Sequence, residues 1–360
     1  MITTELITDT PGFLKLEKVW NDLLRKSDAD TIFLSWEWVS TWWEVFGENK
    51  ELFMPVFRQG DEILGLAPLY KRKRKIIKIL PLREIAFLGG GGPVRSDYMD
   101  LICRPEFYDQ CRQEFLDFLR RDTTWDTANL KDLRENSSLT DADDGGNLKF
   151  SEPNEERCYY IEMPNSFEDY LMELDGKMRR NIRNRRRNLD RDFSSVDFRI
   201  LEDRDRLPDW METFKSLHTR RMEKKGVGGK FSSDDYDRFH DLISKKFFDQ
   251  GRLFAADLKL DGKTVACRYN FLYDNKIYDY QTGFDPVYSR NGVMQALISY
   301  IIEYAINNEI REFDFLAGEE NYKRRFANRE RKICNLRIFN SSSRGRIYRL
   351  LSNWKRSLFH

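Results

Sequence analysis

The segment from Arg252 to Phe326 constrains the fold most. It alternates apolar runs and turn signals in a fixed order: Leu253 to Leu260, the turn Asp261-Gly262, Val265 to Tyr273, then Ile277 to Phe284. An Asp-Gly step between two apolar runs is a hairpin signal, so three antiparallel strands are expected. Gly292 then opens a helix with apolar residues at Val293, Leu297, Ile298, Ile301, Ile302 and Ala305, a helical period. A last strand closes on Asp314-Phe315-Leu316-Ala317-Gly318, followed by Glu319-Glu320-Asn321-Tyr322-Lys323. A helix that begins directly after a strand presents unpaired N–H groups, a ready seat for a phosphate.

The remainder of the chain reads as a soluble α/β protein in two parts. Its 360 residues allow two domains. A helix is expected over Phe13 to Arg25, and Ser35 can cap another that carries Trp36, Trp38, Trp42 and Trp43, a cluster read as core. Leu52 to Phe57 and Ile63 to Leu69 form a hairpin around Gly60-Asp61. That hairpin echoes the one at Asp261-Gly262 at a constant offset of 201 residues, which favours a tandem fold. The domains are placed at 1–160 and 161–340, with a tail at 341–360 and the boundary between Glu152 and Ser166. Helices are expected over Asp209 to Lys224 and Asp234 to Phe248.

Charge and cysteine usage exclude several classes. Lysine and arginine number 61 against 60 aspartates and glutamates, so no global field draws the chain to nucleic acid or membrane. The five cysteines form no C-x-x-C pair and there are three histidines, which argues against a zinc site or a disulfide framework and for reduced, cytoplasmic thiols. No apolar run reaches the ~18 residues of a membrane span. Lys177 to Arg191 holds eight basic residues and one acid. Such a run is usually a solvated helix face, the alternative being a grip on a phosphate.

Several stretches together resemble the acetyltransferase-like family associated with bacterial cellulose and exopolysaccharide biosynthesis, within the GNAT acyltransferase superfamily. They are Ser35-Trp36-Glu37-Trp38, Gly65-Leu66-Ala67-Pro68-Leu69, Leu217-His218-Thr219-Arg220, Asp261 to Ala266, Thr282-Gly283-Phe284-Asp285, Phe313 to Gly318 and Tyr322-Lys323. The superfamily includes the Fem-type aminoacyl transferases, which have two GNAT-like halves and use charged tRNA. The resemblance implies tandem GNAT-like domains, each a mixed, mainly antiparallel sheet flanked by helices. It further implies an acyltransferase using acetyl-CoA or another acyl-CoA, without a metal, on an amine of a sugar or cell-envelope precursor. Nucleic acid enters only if the donor is a charged tRNA; a catalytically inactive binding module is the remaining alternative.

A thioester is already activated, so such a site must position donor and amine, move a proton and stabilise an oxyanion. Gln281, Gly283 and Phe284 are the expected donor-side strand, with Gly283 either admitting close approach or merely relieving crowding. Arg290, Asn291 and Gly292 are expected to hold the pyrophosphate; the alternative is an ordinary loop. Asp314 is a candidate base or else a structural aspartate, and His218 a candidate acid or base or a hydrogen-bonded core histidine. Tyr322 could protonate the leaving thiolate and Lys323 hold a phosphate or carboxylate, unless the two are a surface pair at a helix start.

Overall fold

The computed structural model describes residues 2–76, 80–90, 92–141 and 148–357. The chain divides into two compact units, one made of 1–155 with 332–360 and the other of 156–331. The first unit begins with β1 (Thr3–Ile7), α1 (Thr10–Leu14), α2 (Glu17–Arg25) and α3 (Trp36–Phe46). The expected helix over Phe13 to Arg25 is thus two helices, α1 and α2, with a break between Leu14 and Glu17. Ser35 caps α3, its hydroxyl accepting from the Trp38 N–H, and Trp38 and Trp42 are buried in the core. Strands β2 (Lys50–Leu52), β3 (Met54–Gln59), β4 (Glu62–Leu66), β5 (Leu69–Ile76), β6 (Leu80–Phe87) and β7 (Ile102–Cys103) follow, then α4 (Tyr108–Arg121), β8 (Thr127–Arg134) and β9 (Lys149–Phe150).

The second unit takes up the chain in β10 (Asn154–Glu162). It continues through α5 (Phe167–Glu173), α6 (Gly176–Asp192), β11 (Val196–Ile200), α7 (Leu207–Lys224) and α8 (Asp234–Asp249). The hairpin strands β12 (Leu253–Leu260) and β13 (Lys263–Tyr273) precede β14 (Lys276–Phe284), a 3-10 turn over Pro286–Asn291, α9 (Val293–Asn307), β15 (Glu312–Ala317) and α10 (Asn321–Phe326). β16 (Arg329–Phe339) and α11 (Ser343–Ser357) return to the first unit.

The fold is mixed α/β with mostly antiparallel sheets flanked by helices. In the second unit the strand order is β11-β12-β13-β14-β15-β10. Every neighbour is antiparallel except β14 and β15, which are parallel and joined through α9. The core lies between this sheet and α5, α6 and α9. Ala256, Leu258 and Ile277 from the strands meet Leu297, Ile301 and Ile302 from α9 and Met178, Ile182 and Leu189 from α6. The apolar stripe of the basic helix is thus its buried face.

The first unit repeats that order. Its larger sheet runs β16-β8-β6-β5-β2, and the β6–β8 pair is parallel with α4 in between. A smaller sheet, β1-β3-β4-β7, carries the Gly60-Asp61 hairpin. β4 and β5 are separated by Ala67 and Pro68, and β2 and β3 by Phe53, so one long hairpin is divided between two sheets. Proline has no N–H for a ladder, which accounts for the break at Pro68.

Candidate active site

β14 leaves its parallel neighbour early. The two strands pair only at Lys276↔Glu312, Ile277↔Phe313 and Tyr278↔Asp314, whereas β13 follows β14 to Ala266↔Phe284. An extra residue in β14 between Tyr278 and Gln281, opposite Phe271 and Tyr269 of β13, forms a bulge where the strands part. Beyond Phe315, β15 turns away through Leu316 and Gly318, at φ 59° and 131°. The opening so made holds a cavity of about 290 Å³, reaching from Ser289 and Gly292 past Thr282 and Phe284 to Arg268 and Tyr322. Val293, Met294 and Ile298 of α9 form its apolar wall, and Arg221 and Lys225 reach it from the end of α7.

Gly292 starts α9 in the left-handed region, φ 71° and ψ 30°. A Cβ there would meet only the flexible Arg185 side chain, so it is the backbone conformation that calls for glycine. No side chain caps α9. Arg185, from the basic helix α6, donates from Nη1 to the Arg290 carbonyl at 2.8 Å and lies beside the turn. Asp285 braces the preceding turn. Its carboxylate accepts from the Val287 N–H at 3.1 Å and pairs with Lys263 at 3.1 Å and Arg220 at 3.5 Å, contacts that hold its pKa below the usual range against the opposing effect of burial.

Of the residues singled out from sequence, Phe284, Gly292 and Tyr322 line the cavity. Tyr322 has its phenol pKa raised by burial, so it is protonated at neutral pH. Its ring centroid lies 5.8 Å from the Arg268 guanidinium. Lys323 is buried, its ammonium donating to the Ala317 carbonyl at 2.7 Å and pairing with Glu320 at 3.1 Å, so it ties down the turn between β15 and α10. Asp314 is fully buried and accepts from the Leu316 N–H at 2.7 Å. Gly283 faces α7: a Cβ there would sit 2.7 Å from the His218 backbone nitrogen. The Gln281 amide reaches the Tyr236 hydroxyl at 3.4 Å.

His218 is buried in α7 among Phe214 and Phe231, with ring centroids 6.1 and 5.1 Å away. Burial, reinforced by Arg221 and Lys230, lowers its pKa to about 4. The Arg290 backbone carbonyl is engaged by Arg185, and Asn291 is half-buried in the same turn. Arg221, Lys225 and Arg268 were not among the expected site residues. Arg268 left one signal, a lone cation in the otherwise apolar run Val265 to Tyr269.

Residues 176–324 match the sequence model of a family described as acetyltransferase (GNAT) domain. That segment carries the sequence pattern of a GNAT acyltransferase domain. It contains α6 to β15 and every residue that lines the cavity. No curated protein sequence matches the chain. Among solved structures, FemX superposes with a TM-score of 0.63 at 9% identity, covering 97% of this chain and 99% of that one. A conserved protein of unknown function from Bacteroides thetaiotaomicron gives 0.56 at 13% identity over 94% and 100%. The C-terminal domain of a putative lysylphosphatidylglycerol synthetase from Agrobacterium fabrum gives 0.54 at 12% identity over 94% and 95%. At such identities the likeness is one of fold, and it extends over both units. Among the described residues no helix is long and apolar enough to cross a membrane, and no cluster of three or more His, Cys, Asp or Glu is arranged to hold a metal ion.

Proposed function

We propose that the chain is an acyl-CoA-dependent N-acyltransferase, acetylation being the simplest case, and that its donor enters where β14 and β15 part. The supporting observation is the cavity that joins the uncapped start of α9 to Tyr322 along the free edge of β14. Pyrophosphate at the Ser289–Val293 turn would meet the first N–H groups of α9, with Arg185 and Arg290 supplying charge. The acyl arm would follow the unpaired edge of β14, whose N–H groups suit a developing oxyanion. The amine nitrogen attacks the thioester carbonyl, the C–N bond forms, the C–S bond breaks, and the amine releases a proton to water. Tyr322, whose phenol is protonated at neutral pH, supplies the proton taken by the thiolate and regains one from the water that received the amine's proton. Asp314, Lys323, His218 and Gln281 support this frame through the bonds and packing described above. The acceptor we assign is an amine on a sugar or on a cell-envelope or exopolysaccharide precursor, handled in the cytoplasm.

Calorimetry with acetyl-CoA tests the reading. Binding is expected for the native chain and its loss in Gly292→Pro, because proline cannot adopt φ 71°. A thermal melt confirms that this variant is folded. No heat and no thermal shift with millimolar acetyl-CoA would remove the CoA assignment. A second reading, aminoacyl transfer from charged tRNA, is favoured by the superposition on FemX along almost the full length of both chains. RNase treatment of the purified protein separates the two. Co-purifying RNA that is lost on digestion, without acetyl-CoA binding, supports the tRNA donor.

A further inference from the structure

The cavity carries more positive charge than its own side chains neutralise. Three cations line it: Arg221, Lys225 and Arg268. Arg268 has a side chain only 2% exposed and is paired through Nη1 with the equally buried Asp279, while its Nε has no partner. Arg221, half-buried, has no acidic partner within 4 Å among the described residues; its Nη1 approaches the Met222 sulfur at 4.0 Å. Lys225 likewise has no such partner, and nearby Glu320 is taken by Lys323 at 3.1 Å. Burial lowers the pKa of Arg221, with Arg268 contributing, and Arg221 in turn lowers that of Lys225. Arg268 is buried and Arg221 half-buried, whereas Lys225 is exposed at the rim, and two guanidinium groups held together with little water are stabilised by an anion between them. Guanidinium forks match carboxylate and phosphate oxygens in particular.

We propose that Arg221 and Arg268, at Tyr322, form an anion subsite that takes a carboxylate or phosphate ester carried by the reacting part of the substrate, not by the nucleotide handle of the donor. This deepens the acyltransferase reading and rests on it. Size supports the assignment. A cavity of about 290 Å³ admits an acyl group and the amine it meets, but not a nucleotide as well. Position supports it too. The cavity runs along α9 from Gly292 to Ile298, a rise of about 9 Å, and Arg268 and Tyr322 line it from β13 and α10, not from the Pro286–Asn291 turn that would seat phosphates. The charged group can belong to an amine acceptor that also bears an acid, or to a dicarboxylic acyl chain; the chemistry recognised is the same.

The test uses the full chain with succinate and with inorganic phosphate as probes, titrated by calorimetry without donor. At least one should bind, and Arg221→Met should weaken it by about tenfold or more, the usual worth of a hydrogen bond to a charged group. Arg221→Lys should recover part of the affinity. Acetyl-CoA is titrated separately, so failure of the donor reading and failure of this subsite are distinct results. Transfer assays then locate the charge. Preference for glucosamine 6-phosphate over glucosamine, or for β-alanine over its amide, places it on the acceptor. Preference for succinyl-CoA over acetyl-CoA places it on the acyl group. Either preference should disappear in Arg221→Met. The proposal is overturned if neither anion binds, if both bind Arg221→Met as they bind the native chain, or if that variant loses acetyl-CoA affinity as much as anion affinity.

Discussion

His218 and His240 sit one behind the other in a buried aromatic box, with Phe231 against both rings at 5.1 and 5.6 Å. Nδ1 of His218 and Nε2 of His240 have no hydrogen-bond partner, and burial pushes both pKa values down, that of His218 to about 4. An unfolded histidine titrates near 6.5. Between roughly pH 6.5 and 4 the unfolded chain therefore binds more protons than the folded one, so stability is lost as pH drops through that window. For His218 the shift corresponds to at most about 3 kcal/mol. Urea unfolding should show the midpoint dropping between pH 7 and 5, and a His218→Leu/His240→Leu double variant should lose at least half of that drop. An unchanged slope would mean that other groups govern the acid side. The site was only partly readable at this scale. Gly292 and Tyr322 stand within recognisable local patterns, one at a helix start and the other after a glycine turn. Arg221 and Arg268 lie 47 positions apart on α7 and β13, and only the tertiary fold brings them to one cavity.

Among the elements, α6 shows how one charge run divides its labour. In the sequence its arginines look alike. In the fold, Arg186 turns inward between Phe167 and Tyr300, 4.5 and 4.2 Å from their ring centroids, donates to the Ser299 hydroxyl at 2.8 Å and pairs with Glu303 at 2.6 Å. Arg185 reaches the Arg290 turn, and Arg187 stays in solvent with Asn184 as its partner. Arg186→Ala should therefore cost about 2–4 kcal/mol, from two cation–π contacts and a half-buried ion pair. Arg187→Ala should stay within about 0.5 kcal/mol. Chemical denaturation of the two variants measures this directly, and equal effects would contradict the division. The helix and its apolar stripe at Met178, Ile182 and Leu189 were legible from period alone. Which arginine faces inward was not, because the stripe is narrow and the flanking positions depend on where α9 lies. Strands show the same limit. The hairpins at Gly60 and Gly262 were announced by their turns, whereas no turn signal marks the short strand Ile102–Cys103 or the single parallel bridge from Met99 to Leu133 that precedes it.

On the scale of the whole chain, that bridge explains why the second unit was the place to look for a site. Both units follow an antiparallel hairpin with a strand, a helix and a parallel strand, so both have the topology that lets two parallel strands part. In the first unit β6 and β8 pair at Glu84↔Thr127 and Ile85↔Ala128, and further along β8 the Met99 backbone exchanges hydrogen bonds with Asp132 and Arg134 at 2.8 and 3.1 Å. The chain thus covers with its own backbone the strand edge that stays open beside β14. The duplication was legible as an offset of 201 residues, but the route of the chain was not, since pattern along a sequence says nothing of which distant strand completes a sheet. Here β16 completes the first unit from the far end of the chain. It pairs with β8 from Ile333↔Arg134 to Phe339↔Thr127 and buries Ile333, Leu336, Ile338 and Phe339. Each of those side chains is worth roughly 1.5–3 kcal/mol when fully buried, and loss of the strand would also bare the β8 ladder. A chain ending after Arg331 should accordingly keep the second unit and lose the first. Limited proteolysis should degrade residues 1–155 and leave a resistant fragment near 156–331; equal resistance of the two units would show that the first folds without its returning strand.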